Sequence, residues 1–142
     1  VIAIGTGICD GLGLGYNARA SLVTRGLSEI TRLGIAMNAN EITFMGLSGL
    51  GDLVLTCTSH LSRNYTAGYR LGKGENLADI MNTKSVAEGI TTAKSAFMLS
   101  KKYMIEMPIA EQIYLTLYEN KSVKEVVKDL MSRSLKSEFY GY

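Results

Sequence analysis

The middle of the chain carries its densest group of side chains that could do chemistry. Asp52 and Thr56 stand four residues apart, so on a helix they share one face and lie one turn apart. Ser62 is a typical N-cap residue, and Arg63 and Asn64 would then occupy the first turn of a new helix. Such a turn favours a phosphate, because backbone N–H groups, the helix dipole and a guanidinium act together. The pattern therefore indicates a carboxylate beside a phosphate clamp, a name used below for residues 62–64.

The same residues also have an ordinary structural interpretation. Asp52 could cap the helix that follows Gly51, and the Thr56 hydroxyl could bond back to its own helix. Ser62 could begin a helix whose first turn is merely solvated. Spacing alone leaves both interpretations open, because short motifs in a single sequence are often structural.

Hydrophobic spacing predicts one all-α domain over residues 1–142, with seven or eight helices. We expect a helix capped by Asn17 and ending near Asn38, then a short turn at Glu41–Met45 that leads to a helix from Asp52. The remaining predicted helices cover Arg63–Leu71, Asn76–Met81, Ser85–Lys102, a segment from Pro108 onward, and Val123–Arg133 behind a Ser122 and Glu125 capping box. Residues 134–142 have no clear period, and we expect them to fray.

The first residues imitate a dinucleotide-binding turn without meeting its requirements. Val1 opens a short apolar run that leads into Gly5 and Gly7, as a strand and glycine turn would. The third glycine of the motif would fall at Asp10, and a helical pattern follows where a second strand is required. This segment is therefore not predicted to bind a dinucleotide.

Composition narrows the classes of function. The 142 residues are 46% hydrophobic and 20% charged, as in a packed globular domain. The net charge is only +2 and the basic residues are dispersed, so nucleic acid is not an implied partner. Cys9, Cys57 and His60 have no zinc-site spacing, so we predict no metal and expect a reducing, cytoplasmic compartment. No apolar run reaches the ~20 residues of a membrane span. Because the chain starts with Val1 rather than Met, we expect a piece of a longer protein.

Several motifs resemble, in the right order, the C-terminal domain of bacterial NAD(P)-dependent glycerol-3-phosphate dehydrogenases. The resemblance runs from Val1 to about Arg133 and is carried by Leu22–Glu29, Gly46–Leu53, Thr56-Cys57, Ser62-Arg63-Asn64, Ser85–Gly89 and Glu106–Ile109. It implies an all-α fold like the C-terminal domain of 6-phosphogluconate dehydrogenase. It also implies that the first residues continue a helix joining two domains, where Ala3, Gly5 and Gly7 allow close helix packing.

The resemblance further implies a substrate site. The family interconverts dihydroxyacetone phosphate and sn-glycerol 3-phosphate for glycerophospholipid synthesis, and Asp52 would lie beside the substrate hydroxyls and a catalytic lysine. Thr56 would hydrogen-bond in the same pocket, and Ser62, Arg63 and Asn64 would take the substrate phosphate. The family's lysine belongs to a Lys-Asn pair immediately before the position of Val1, so we expect residues 1–142 alone to be inactive.

The resemblance implies a cofactor and a partner domain as well. NAD or NADP would be bound mainly by an N-terminal Rossmann domain, with contacts from Arg63, Val86 and Glu88 of this chain. Glu88 has an alternative interpretation, as a carboxylate in the first turn of a helix capped by Ser85. The substrate domain would pack against the Rossmann domain, and a homodimer is one assembly that this arrangement would allow.

Two other functions stay open at this level. A non-catalytic helical module that binds a partner through an apolar groove would be indifferent to an Arg63 change. A sibling dehydrogenase acting on a hydroxy acid would place its anion anchor differently from the phosphate clamp.

Arg25 could lie near the site or pair with Glu29 at i, i+4. Cys57 is interpreted as a core residue, and His60 is assigned no role.

Overall fold

A computed structural model describes residues 1–82 and 87–133, and this part of the chain is all-α, as predicted. It contains nine α-helices and one π-helical turn. Among the described residues, no helix combines the length and the apolar character that crossing a lipid bilayer requires. The elements are α1 (Ile2–Gly11), α2 (Tyr16–Ala36), α3 (Glu41–Met45), the π-helical turn (Leu47–Gly51), α4 (Asp52–Thr58), α5 (Arg63–Gly72), α6 (Leu77–Met81), α7 (Gly89–Tyr103), α8 (Pro108–Tyr118) and α9 (Val123–Ser132).

The central helix is α1, and it contacts the backbone of α5 directly. A Cβ atom added to Gly7 would lie 2.1 Å from the carbonyl oxygen of Tyr65. A Cβ atom added to Gly68 would lie 2.0 Å from the carbonyl oxygen of Ile4. Neither space can hold a side chain, so glycine at both positions is what permits the two helices to pack at this distance.

The two helices of this pair run in the same general direction. Ile4 of α1 lies against Gly68 of α5, and Ile8, one turn further along α1, lies against Gly72, one turn further along α5. The first turns of both helices therefore meet at one end of the pair. This places the start of the chain near the segment that precedes α5.

The other helices surround this pair. α4, α2 and α8 all contact α1, and α7 packs against α8 and α2. Every residue of α1 except Asp10 is buried. The apolar core joins α1 to side chains of α4, α5, α7 and α8, among them Leu53, Cys57, Leu71, Ile90 and Ile113.

A buried carboxylate holds α8 against α2. Glu29 is 2% exposed, and its two carboxylate oxygens accept hydrogen bonds from the N–H groups of Ile109 at 2.7 Å and Ala110 at 3.1 Å. These N–H groups belong to the first turn of α8, which lacks intrahelical acceptors. The Glu29 carboxylate therefore serves α8, instead of forming the intrahelical pair with Arg25 that the spacing allowed.

Most predicted helix starts are confirmed. Ser62 caps α5, Pro108 is the first residue of α8, and Ser122 and Glu125 form the predicted capping box of α9. The predicted Ser85 cap lies outside the described residues, and the helix in this region begins at Gly89. Local side-chain chemistry is enough to set these boundaries.

The prediction of a turn at Glu41–Met45 was wrong, because this segment is the short helix α3. Asn40 caps it, with its side-chain oxygen accepting a hydrogen bond from the N–H of Ile42. Glu41 adds a carboxylate in the first turn, where the helix dipole favours it. The helix predicted from an Asn17 cap begins instead at Tyr16, after Gly15.

Replacing Gly68 by Ala should destabilise the protein, because the new methyl group would meet the Ile4 carbonyl. We expect the free energy of unfolding to fall by about 1–3 kcal/mol. Gly5→Ala on α1 is the matched control, since its Cβ would meet Ile113 at 3.5 Å, an ordinary contact distance. Denaturant unfolding should separate the two variants, and equal stabilities would contradict the tight helix contact.

Glu29 should make stability depend on pH in an unusual direction. Burial raises the pKa of Glu29 to about 7, while the Ile109 and Ala110 N–H groups and then Arg32 and Arg133 act against this shift. The folded pKa lies above the unfolded value, so the contribution of Glu29 is complete below pH of about 4.5 and is lost as pH rises through 7.

We therefore expect the free energy of unfolding of the wild type to decline by a few kcal/mol over this range, at about 1.4 kcal/mol per pKa unit. Glu29→Gln should be less stable and should lack this decline, because an amide does not titrate. Urea unfolding at a series of pH values measures both. An identical pH profile in wild type and variant would refute the assignment.

Candidate active site

Residues 62–64, the phosphate clamp, form the helix start that the sequence predicted. The Ser62 hydroxyl accepts a hydrogen bond from the N–H of Tyr65 at 3.3 Å, and the Ser62 carbonyl accepts one from the N–H of Thr66 at 2.9 Å. The N–H groups of Arg63 and Asn64 are in the first turn, where a helix has no internal acceptor for them. The Arg63 side chain is exposed and makes no hydrogen bond or ion pair within residues 1–82 and 87–133. Two N–H groups and a guanidinium are thus available to an anion.

Asn64 joins this turn to the start of α7. Its side-chain oxygen accepts a hydrogen bond from the N–H of Gly89 at 2.8 Å. Glu88 occupies the N-cap position of α7, directly before Gly89, and its side chain is exposed. Val86 lies outside the described residues. The structure thus brings together two of the residues assigned to cofactor contact, Arg63 and Glu88.

Asp52 is the first residue of α4, and its carboxylate is exposed. The carboxylate makes no hydrogen bond or ion pair with any residue that the structure describes, so it does not cap α4. Thr56 behaves as the structural interpretation proposed: its hydroxyl donates to the carbonyl oxygens of Asp52 at 2.9 Å and Leu53 at 3.1 Å. The oxygen of this hydroxyl can still accept a hydrogen bond from a ligand.

The π-helical turn immediately precedes Asp52 and sets the position at which α4 begins. Gly49 of this turn packs so tightly on α3 that an added Cβ atom would lie 2.3 Å from the carbonyl oxygen of Phe44. The Phe44 ring in turn lies over Gly34 of α2, where an added Cβ atom would be 2.2 Å away. Asp52 therefore begins α4 at a place set by the backbone contact of the π-helical turn with α3 and by the packing of the Phe44 ring on α2.

Asp52 and the phosphate clamp lie on helices that both pack on α1. Helix α4 begins with Asp52, α5 follows Ser62, and α4 also contacts α5. The Val1 amino group lies close enough to the Cys57 thiol of α4 for the two to interact electrostatically. Burial raises the pKa of Cys57, as expected for a core thiol rather than a nucleophile. The chain thus enters the domain beside α4, one residue along from Thr56.

A groove of about 540 Å³ lies beside the clamp, between α5, α6 and α7. Arg63 and Arg70 line it together with apolar side chains such as Ile80 and Ile90. His60 is also on its wall, and the His60 ring packs edge-on against the Tyr65 ring at 5.0 Å. The packing of His60 on a buried tyrosine is a structural role that the sequence did not indicate.

Large apolar side chains are exposed on the elements from α3 to the segment before α5. They include Ile42 of α3, Leu47 of the π-helical turn, Leu55 of α4 and Leu61 before α5. Leu47 and Leu61 are 90% and 94% exposed. Exposed large apolar side chains, where they are contiguous, are typical of surfaces that bind another protein unit or a ligand.

The sequence interpretation missed a polar contact beneath the clamp. One carboxylate oxygen of Asp10 accepts hydrogen bonds from the Tyr65 hydroxyl at 2.6 Å and from the Arg19 guanidinium at 2.7 Å. A signal for it was present, because Asp10 is a carboxylate in an otherwise apolar and small-residue helix. Such a group needs partners when the helix is buried.

Comparisons with known proteins identify the family to which this chain belongs. A family model described as the C-terminus of NAD-dependent glycerol-3-phosphate dehydrogenase matches residues 1–128. A glycerol-3-phosphate dehydrogenase [NAD(P)+] of Syntrophotalea carbinolica is 60% identical over 139 residues, which cover 97% of this chain and 42% of that protein. The corresponding protein of Myxococcus xanthus is 56% identical over 142 residues, which cover 99% of this chain and 42% of the relative.

A solved structure shares the fold. The crystal structure of a glycerol-3-phosphate dehydrogenase from Coxiella burnetii superposes with a TM-score of 0.90 at 42% sequence identity, covering 93% of this chain and 41% of that one. The chain therefore spans about 42% of the length of the curated relatives it matches. The family match includes Asp52, Thr56, the phosphate clamp and Glu88. The chain belongs to the family of the C-terminal domain of NAD-dependent glycerol-3-phosphate dehydrogenases.

Proposed function

We propose that this chain is the substrate-binding domain of a longer enzyme that reduces dihydroxyacetone phosphate to sn-glycerol 3-phosphate with NADH or NADPH. The observation that carries the proposal is that an exposed Asp52 carboxylate and an open helix start at Ser62–Asn64, with the Arg63 cation in its first turn, occur in the same domain. The helices that carry them, α4 and α5, both pack on α1, and the domain belongs to this dehydrogenase family. Among the described residues, the Asp52 carboxylate and the Arg63 guanidinium have no hydrogen-bond or ion-pair partner, which leaves both groups able to bind a ligand.

The clamp would hold the substrate by its phosphate. The N–H groups of Arg63 and Asn64 donate to phosphate oxygens, and the Arg63 guanidinium adds a charge-assisted pair. The Ser62 hydroxyl can also donate while its oxygen continues to accept from Tyr65. Anchoring one end of a three-carbon substrate restricts the position of C2, and this restriction lowers the entropic part of the barrier.

Asp52 would act at the other end of the substrate. Its carboxylate can accept a hydrogen bond from a substrate hydroxyl and favours the charged form of a neighbouring lysine. The family resemblance assigns proton transfer to a lysine that precedes Val1 in the longer polypeptide. The place of Val1 beside Cys57 supports this assignment, because a residue directly before Val1 would be close to α4, the helix that carries Asp52 and Thr56.

Arg63 and Glu88 have the chemistry to contact a bound dinucleotide. When bound, NAD(P)H supplies the hydride that adds to C2. The exposed Arg63 guanidinium suits a phosphate group, and the exposed Glu88 carboxylate can accept hydrogen bonds from ribose hydroxyls. The bond between Asn64 and Gly89 keeps the two helix starts together for this task. Val86 is proposed as a further contact on the resemblance alone.

An N-terminal dinucleotide-binding domain would cover exposed apolar side chains of this domain. These exposed side chains, Ile42, Leu47, Leu55 and Leu61, belong to the elements before and after Asp52. Covering them would exclude water from the site, which strengthens the charge interactions within it. A homodimer of the full-length protein is a further part of the proposal, to be checked by sedimentation.

The direct test is oxidation of NADH and of NADPH that depends on dihydroxyacetone phosphate, measured with the full-length polypeptide. We expect turnover with at least one cofactor, and none from residues 1–142 alone. A folded full-length protein that turns over neither cofactor with this substrate would refute the proposed reaction.

Arg63→Ala in the full-length enzyme should weaken substrate binding strongly. Loss of a charge-assisted pair costs about 2 kcal/mol, which corresponds to a KM for dihydroxyacetone phosphate roughly 30-fold higher. Lys124→Ala removes an exposed charge from α9 and serves as the control. An unchanged KM in Arg63→Ala would exclude the clamp as the phosphate site.

Asp52→Asn should lower kcat by roughly 100-fold or more, with a smaller effect on KM, because the amide cannot support the charged lysine. Asp79→Asn makes the same replacement at an exposed position of α6 and should leave turnover intact. Steady-state kinetics on both variants decides the point. Near-normal kcat in Asp52→Asn would remove this residue from the mechanism.

A further inference from the structure

The Asp10 carboxylate is the centre of a small network that joins three helices. It accepts the Tyr65 hydroxyl of α5 at 2.6 Å and the Arg19 guanidinium of α2 at 2.7 Å. The Tyr65 side chain is 2% exposed, and the side chains of Asp10 and Arg19 are 15% and 23% exposed. Hydrogen bonds that involve a charged group in such surroundings are short and strong.

Tyr65 links this network to the phosphate clamp. It is the third residue of α5, and its N–H donates to the Ser62 hydroxyl that caps the helix. Its own hydroxyl is held by Asp10 at the far end of α1. The residue is thus fixed at both ends, and a shift of its ring would move the backbone that presents Ser62, Arg63 and Asn64.

The glycine contact between α1 and α5 does not by itself set this backbone. Close contact at Gly7 and Gly68 fixes the separation of the two helices. Helices in such contact can still slide or rotate slightly, since small residues offer no interlocking side chains. A directional hydrogen bond from Tyr65 to Asp10 removes this freedom at the end of α5 that would bind phosphate.

We propose that Asp10 and Tyr65 are positioning residues that hold the phosphate clamp in its binding geometry. The inference rests on the proposed function of the clamp as the substrate phosphate site. Arg19 supports both residues, because its guanidinium donates to Asp10 at 2.7 Å and also interacts with the Tyr65 hydroxyl. Neither Asp10 nor Tyr65 touches the substrate.

Tyr65 and Arg19 keep their protons over the pH range of ordinary assays. Burial, followed by the hydrogen bond and the charge of Asp10, raises the pKa of Tyr65 to about 12. The hydrogen bond to Asp10 raises the pKa of Arg19 as well. Tyr65 therefore keeps the proton that it donates, and Arg19 stays charged.

The test compares Tyr65→Phe with Tyr69→Phe in the full-length protein. Tyr65→Phe removes only the hydroxyl bound to Asp10, while Tyr69→Phe removes a hydroxyl from the next turn of the same helix. We expect KM for dihydroxyacetone phosphate and the Kd for inorganic phosphate, measured by calorimetry, to rise about fivefold in Tyr65→Phe. The value of kcat should stay within about twofold, and Tyr69→Phe should match the wild type.

Replacement of Asp10 gives a second, graded measurement. Asp10→Asn keeps an oxygen that can accept the Tyr65 hydroxyl but loses the charge, whereas Asp10→Ala loses both. We expect the phosphate Kd to rise in the order wild type, Asp10→Asn, Asp10→Ala. Partial rescue by the conservative variant is not expected of a residue that only adds stability.

Each outcome decides one of the two proposals. A lower melting temperature in Tyr65→Phe with unchanged KM and phosphate Kd would overturn the positioning role. Absence of turnover in the wild type would refute the proposed reaction, and the phosphate Kd series would still test Asp10 and Tyr65. An Arg63→Ala variant that binds phosphate like the wild type would overturn both the clamp and its positioning.

Discussion

Direct backbone contact between α1 and α5 is the constraint on which the rest of the domain depends. Gly7 and Gly68 allow the helices to approach until carbonyl groups occupy the space that side chains would take. The contact brings the first turns of both helices to one end of the pair. A site built from residues near the start of the chain and from residues 62–64 depends on that arrangement, because the contact places the two first turns side by side.

The carboxylates in the core and the carboxylate at the candidate site differ in exposure and in hydrogen-bond partners. Glu29 and Asp10 are largely removed from water, and each accepts two hydrogen bonds from other helices. Asp52, by contrast, stands exposed at the start of α4 with no partner among the described residues. The buried carboxylates reduce the cost of their burial through these bonds, while Asp52 keeps its full capacity to bind a ligand. The difference separates residues that shape the fold from one that is available for chemistry.

The exposed apolar side chains and the open polar groups occur together. Leu47 and Leu61 flank the segments that carry Asp52 and the phosphate clamp. A surface that is both apolar and able to bind anions is suited to closure by a second domain, because closure buries the apolar part and removes water from the polar part. The relatives are more than twice as long as this chain, which agrees with such a second unit.

Features that depend on neighbouring residues were predictable from the sequence. Ser62, Ser122 and Pro108 begin helices as expected, and the all-α fold follows from the helical spacing of apolar residues. The family motifs also selected Asp52 and the clamp as candidate site residues, and their roles stay predictions. Errors occurred where a local cap was overlooked, as at Asn40, whose side chain starts the short helix that was predicted to be a turn.

By itself, then, the sequence determined the helical class, the main helix starts, the family resemblance and the residues that could do chemistry. Only the tertiary structure decided which distant groups meet. Glu29 is 80 residues from Ile109, and Asp10 is 55 residues from Tyr65, so no local pattern relates them. Their pairing depends on how closely glycine lets helices pack and on which polar groups burial then leaves in need of partners.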